Sequence, residues 1–184
     1  MPGNRPEQEQ SAVAIGIRRV EAGDVGVLDG LCTLLRQSVD QGASVGFLAP
    51  LSRATALAYW TRTVGALGPE LVLWVAEDRG RVVGSVQLAP CGKENGRHRA
   101  EVQKLFVLPG HRGKGIATRL MDTLEVCARA DGRTLLVLDT EAGSGAEGFY
   151  RALGWQRVGE VPDYAASPRG ELHATAIHFK RMSP

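Results

Sequence analysis

The stretch that most constrains this chain is residues 105–120, LFVLPGHRGKGIATRL. A strand-like apolar run enters a basic, glycine-rich turn and leaves it directly as a helix. A helix start has no carbonyl partners for its first N–H groups, and glycines let a bulky anion come close to that backbone. Ile116, Leu120, Leu124 and Cys127 recur every three or four residues, which predicts a helix from about Gly113 to Ala130, stopped by Gly132. TLLVLDT (134–140) follows, apolar almost throughout, as in a strand buried on both faces.

The rest of the chain reads around this unit. VAIGIRRV (13–20) alternates as a first strand, and Asp24 is placed to cap the helix carrying Val27, Leu28, Leu31, Leu34 and Leu35. GASVGFLAPLS (42–52) interrupts, and Ser52 opens a second helix. LVLWVAE (71–77) and RVVGSVQLAP (81–90) form a hairpin through Asp78-Arg79-Gly80, and AEVQKLFVL (100–108) is a further strand. Ser144 and Glu147 have the spacing of a capping box ahead of a short helix through Phe149 and Tyr150. WQRVGEV (155–161) and LHATAIHFKRM (172–182) close as strands. The expected architecture is one α/β (α+β) domain over 13–182, with a mixed sheet, behind a mobile tail at 1–12.

Composition excludes several classes. A net charge of +2 over 184 residues does not suit a polyanion binder, and the few aromatics do not interleave with a basic run, so no nucleic acid partner is expected. Apolar runs are too short for a membrane span, and MPGNRPEQEQSA has no apolar core of a signal peptide. Cys32, Cys91 and Cys127 form no CxxC pair, and His173 and His178 lie five apart on a strand, facing opposite sides. No metal is expected, and free thiols fit a cytoplasmic location.

Three phosphate-binding patterns can be laid on the turn. A Walker A loop finds Gly110 and Gly115 at the right separation but Ile116 where its lysine belongs. A dinucleotide fingerprint finds Gly113 and Gly115 but ends on Thr118. The pattern [Q/R]-x-x-G-x-[G/A] is met at Arg112, Gly115 and Ala117. In these residues, in their position between a fourth strand and a third helix, in FYRALGW (149–155) and in the strand order, the chain resembles the GNAT superfamily of acetyl-CoA-dependent N-acetyltransferases. GASVGF, AEVQKL, LDTEAGS, FY and HATAIHFK are similar to its tabtoxin-resistance acetyltransferases, which acetylate a small β-lactam amino acid.

The resemblance implies a mostly antiparallel sheet of about seven strands flanked by about four helices. It implies acetyl-CoA as co-substrate, its pyrophosphate held by Arg112, Gly113, Lys114, Gly115, Ile116 and Ala117, and its pantetheine arm along the backbone of Leu105, Phe106 and Val107. It also implies a small-molecule amine as acceptor, met by Ser44, Phe47, Trp74 and Tyr164, in a monomer or homodimer. A role in antibiotic resistance or detoxification follows from the same likeness.

Amine acetylation needs a base, because only about one alkyl amine in a thousand is neutral at pH 7, and the departing thiolate gains from a proton. Two-residue alternation puts Glu101, Gln103, Leu105 and Val107 on one face, so Glu101 is either a base or a wet-edge residue paired with Arg97 or Arg99. Asp139 ends TLLVLD, where a carboxyl strand end faces a ligand crevice, or it serves the following turn. Tyr150 is a core aromatic, a proton donor to sulfur, or both; the resemblance assigns Glu101 and Asp139 as bases and Tyr150 as acid. The competing functions are a protein or peptide N-terminal acetyltransferase, which would want an acidic stretch for basic tails, and an acetyl-CoA-binding regulatory module without turnover.

Overall fold

The computed structural model describes residues 15–182, so the expected tail at 1–12 and the start of the first strand, Val13 and Ala14, lie outside the described residues. In chain order the elements are β1 (Gly16–Arg19), α1 (Leu28–Asp40), α2 (Arg53–Gly65), β2 (Val72–Asp78), β3 (Arg81–Pro90), β4 (Arg99–Val107), α3 (Ile116–Ala130), β5 (Leu135–Glu141), α4 (Gly145–Ala152), β6 (Gln156–Ala166) and β7 (Leu172–Arg181). One seven-stranded sheet runs β1-β2-β3-β4-β5-β7-β6. Only β4 and β5 pair in parallel. The mixed, mostly antiparallel α/β architecture expected from the sequence is the one found.

The helices cover the sheet in two layers. Alternation along β2 splits its side chains: Leu73 and Val75 pack with Leu31, Leu34, Leu35 and Trp60 of α1 and α2, whereas Val72, Trp74 and Ala76 pack with Ile116, Leu120 and Leu124 of α3. Gly84 on β3 is what lets α3 lie so close. A Cβ there would sit 3.0 Å from the Phe106 carbonyl oxygen and 3.2 Å from both Ile116 Cγ2 and Leu120 Cδ1.

Local signals read from the sequence mostly hold. Asp24 accepts from the N–H of Gly26, capping a single 3₁₀ turn (Val25–Val27) that leads into α1. Ser52 Oγ accepts from the N–H of Thr55 at the start of α2. The β2–β3 hairpin turns through Arg79 (φ 51°) and Gly80 (φ 74°), the paired positive angles of a tight two-residue turn.

Four details depart from expectation. Helix α3 begins at Ile116, not Gly113, because Gly113 and Gly115 both adopt φ 73° and stand outside the helix. The capping box before α4 is half formed: Ser144 makes no capping bond, and Glu147 Oε1 accepts instead from the N–H of Gly143 at 2.7 Å. Strand β5 is not buried on both faces. Leu136 and Leu138 are buried, but Leu135 and Val137 are only half so, since α1 and α2 reach no further than β4 on that side.

The fourth departure opens the site. Opposite β3, strand β4 carries one extra residue: Phe106 pairs with Ser85 but Gln103 with Gln87. This β-bulge seats Lys104 at φ 53°, its carbonyl accepting from Ser85 Oγ at 3.1 Å. The alternation is thereby reversed. Glu101 and Gln103 face the α1–α2 side, while Leu105 and Val107 turn toward the α3 core, so the four do not share a face. A bulged strand bends, and β4 pairs with β5 only over Arg99–Glu101 and Leu135–Val137 before the two separate.

Candidate active site

The gap between β4 and β5 widens into a cleft of about 920 Å³. Its lining includes Glu101, Lys104, Asp139, Tyr150 and Tyr164, with Ser44 from the α1–α2 connection. Pairing of Glu101 with Val137 puts these two on one face, and Asp139, two residues beyond Val137, shares it. The two carboxylates therefore look into one space from neighbouring strands.

Their surroundings differ. Glu101 Oε1 accepts from Gln103 Nε2 at 2.7 Å, not from Arg97 or Arg99. Asp139 has its carboxyl pKa raised above the ordinary value, first by burial and then by the charge of Glu101, with Lys104 opposing. A carboxylate with a raised pKa is a stronger base once ionised.

Tyr150 comes from the opposite face. Its ring packs against Phe149, Trp155 and His178 with centroids 5.3, 5.9 and 6.1 Å away, and the residue lines the cleft. Burial, and then the charge of Asp139, pushes the hydroxyl up to about 12, so it is protonated at any working pH. Helix α4 is anchored through Glu147, which also takes Arg157 Nε at 3.0 Å and lies 3.6 Å from His178 Nε2.

At the other end of the gap lies the glycine-rich turn. Among the described residues, none of the backbone N–H groups of 113–118 donates to a backbone carbonyl. Added Cβ atoms at Gly113 and Gly115 would meet nothing within 4 Å, so the side-chain side of both glycines is open. A recess of about 270 Å³ is lined there by Arg112, Gly113, Gly115, Ile116, Ala117 and Phe149, among others. Arg112 folds back on β4, donating from Nε to the Val107 carbonyl at 3.3 Å. Unpaired amides, open space and nearby cations fit a pyrophosphate such as that of CoA. The Ile116 side chain is 2% exposed and belongs to the core, so only its backbone is available. Lys114 is exposed on the turn and lines neither cavity. The strand segment Leu105–Val107 joins the two ends of the cleft.

The acceptor-side expectations divide. Ser44 and the 57%-exposed Tyr164 border the cleft. Trp74 does not: it is 4% exposed beneath α3, because its parity on a central strand directs it into the core. Phe47 does not line the cleft either, but packs edge-on against Tyr59 at 5.2 Å. Sequence reasoning missed Lys104. A lysine in a regular strand of this pattern would face α3; the bulge that brings it round has no residue signature.

Similarity to known proteins can now be set beside this geometry. The family model described as an acetyltransferase (GNAT) domain matches residues 69–157. An uncharacterised N-acetyltransferase from the hisH–hisA intergenic region of Azospirillum brasilense is 32% identical over 68% of this chain and 74% of its own length. Rat N-acetyltransferase 8 is 39% identical over 47% of this chain, which spans only 40% of that protein. The crystal structure of a GNAT superfamily phosphinothricin acetyltransferase from Sinorhizobium meliloti in complex with acetyl-CoA superposes with a TM-score of 0.74 at 22% identity, over 92% of this chain and 89% of that one. No helix among the described residues is long and apolar enough to cross a membrane. Sheet, bulged strand and amide-lined turn thus coincide with a sequence match over most of a relative's length, and the chain belongs to the GNAT family of acetyltransferases.

Proposed function

We propose that this chain acetylates the amine of a small molecule, with Asp139 and Glu101 as proton acceptors and Tyr150 as the donor to sulfur. The observation that carries the reading is the convergence of these groups on one cleft whose far end is a row of backbone amides with no carbonyl partner among the described residues. When bound, acetyl-CoA supplies the acetyl group as a thioester. The amides of Gly113 to Ala117, with Arg112 and Lys114 nearby, would hold its pyrophosphate, and the backbone of Leu105, Phe106 and Val107 would hold its arm.

The chain's own groups then handle the protons. Asp139, its pKa raised by burial, accepts the proton lost by the acceptor nitrogen, with Glu101 held by Gln103 as its second acceptor. A carbon–nitrogen bond forms as the carbon–sulfur bond breaks, and the Tyr150 hydroxyl stabilises the departing sulfur by donating a hydrogen bond to it, keeping its own proton. The products are an amide and free thiol: Asp139 passes the nitrogen's proton to water, and the thiolate takes one up from water.

The GASVGF and LDTEAGS segments support, by resemblance, an amino-acid acceptor of the tabtoxinine-β-lactam kind and a detoxifying role. The test is acetyl-CoA-dependent thiol release with tabtoxinine-β-lactam beside amino acids, polyamines, aminoglycosides and short peptides. Turnover of one or more small amines is expected. Turnover of peptides alone, or acetyl-CoA binding with no turnover on any amine, would overturn it.

A further inference from the structure

The cleft contains a lysine that the acetyl transfer just described does not use. Lys104 Nζ donates to the Val45 carbonyl at 2.9 Å and lies 5.9 Å from the centroid of the Tyr59 ring. An ammonium has three donors. Among the described residues no carboxylate lies within 4.0 Å of it, so two of those donors have no protein acceptor. A partly buried cation held off its neighbouring carboxylates is costly unless something else completes it.

The backbone is distorted to put it there. Lys104 adopts φ 53° at the bulge, a left-handed conformation that L-residues rarely take. The 43–47 connection lies against it: Gly46 has φ 88°, and a Cβ at that position would come to 3.8 Å from Lys104 Nζ, an ordinary contact. The other cation lining the cleft, Arg112, lies at the end occupied by the amide row. The acceptor end therefore presents one cation and, across from it, the Glu101–Asp139 pair.

We propose that Lys104 is the docking point for a carboxylate of the acceptor, so that the acceptor is an amino acid whose amine meets Asp139 and Glu101 while its carboxylate completes the ammonium of Lys104. This rests on the transferase reading above and adds a residue and a selection rule to it. Burial holds the lysine's pKa below its ordinary value, with Asp139 and Glu101 only partly opposing, so an added carboxylate would stabilise its charged form. A site built to pair with one charged group strongly rejects the analogue that lacks it, because its own group is left unpaired.

The test compares matched acceptors: L-alanine, L-methionine, L-glutamate, L-lysine and L-2,4-diaminobutyrate, each beside the amine formed by removing its carboxyl group. The wild-type protein should prefer at least one amino acid over its partner amine by about 10- to 100-fold in kcat/KM. In Lys104→Met that ratio should collapse to within about threefold, with the loss in KM for the amino acid. Lys104→Gln, which retains a donor for the Val45 carbonyl, should collapse it equally, even if the methionine variant folds poorly. Equal losses for both members of a pair would make Lys104 a prop for the 43–47 connection and overturn the proposal. So would equal or better turnover of the amines by the wild type, or no amino acid turned over. Acetyl-CoA binding by calorimetry is scored separately: its absence sinks the transferase reading, whereas binding with amine-only turnover sinks the carboxylate site alone.

Discussion

Replacing Tyr150 by phenylalanine separates packing from chemistry at the centre of the site. The ring contacts with Phe149, Trp155 and His178 survive the change, and only the hydroxyl is lost. Burial and the charge of Asp139 are what displace that hydroxyl's pKa, with no hydrogen bond to a protein group contributing. Unfolding in urea should therefore shift by less than about 1 kcal/mol. Catalysis should respond far more. A donor near 12 faces a thiolate of about 8–9, so complete transfer is uphill by roughly 5 kcal/mol. Tyr150 then acts chiefly by hydrogen bonding to negative sulfur as it forms. Removing such a donor costs about 10²–10³-fold in turnover, or about 3–4 kcal/mol. Thiol release at saturating acceptor gives kcat, and calorimetry gives the acetyl-CoA affinity, which should stay within about threefold. A turnover within threefold of wild type, with the fold intact, would refute Tyr150 as the group at sulfur.

Other consequences can be measured on the same protein. A base must be ionised, and the pKa of Asp139 is raised, so kcat should fall as pH drops through a value above the ordinary aspartate range; Asp139→Asn should lower kcat and erase that limb, and an unchanged profile would shift the role to Glu101. Tyr150 stays protonated to about 12, so kcat should show no decline between pH 8 and 10 attributable to its ionisation; a falling limb there that Tyr150→Phe removes would contradict its burial. Gly115→Ala forces an L-residue to φ 73° and should weaken acetyl-CoA binding by about tenfold in calorimetry, while unaltered affinity would exclude the amide row as its site. Trp74→Ala should cost about 3–5 kcal/mol in urea unfolding, because the side chain is core; a small loss of stability with a large loss of turnover would return it to the acceptor site.

Much of this was legible in the residues, and what was not has a common cause. The glycine-rich turn, its preceding strand and its following helix carry strong local chemistry, so LFVLPGHRGKGIATRL announces both an element order and a ligand class. The helix stripes and the Ser52 cap are likewise local. Trp74 failed because a strand buried on both faces gives no sign of which layer a given side chain enters. Phe47 failed because an aromatic in a glycine-rich connection can serve a cleft or a neighbouring helix, and Tyr59 decides the matter from afar. The reversed alternation in β4 is the deepest miss. A bulge is a property of two strands together, set by how Ser85 and Gln87 pair across, and nothing in AEVQKLFVL alone inserts the extra residue. Lys104, whose role depends wholly on that bulge, was invisible for the same reason.

The three-residue contact between β4 and β5 has a mechanical consequence. Strands β1–β4 and strands β5–β7–β6 are two plates stitched along a seam of three residue pairs, with Glu101 on one plate and Asp139 on the other. Pulled across the strands, the sheet should part there first. A molecule lying along the open stretch beyond Glu101 supplies the missing stitches. The amides of Gln103–Val107 that point toward β5, rather than into the pairing with β3, should therefore exchange with solvent readily in the free protein and slow sharply when the gap is filled. The spacing of the two carboxylates would then be set when the donor arrives.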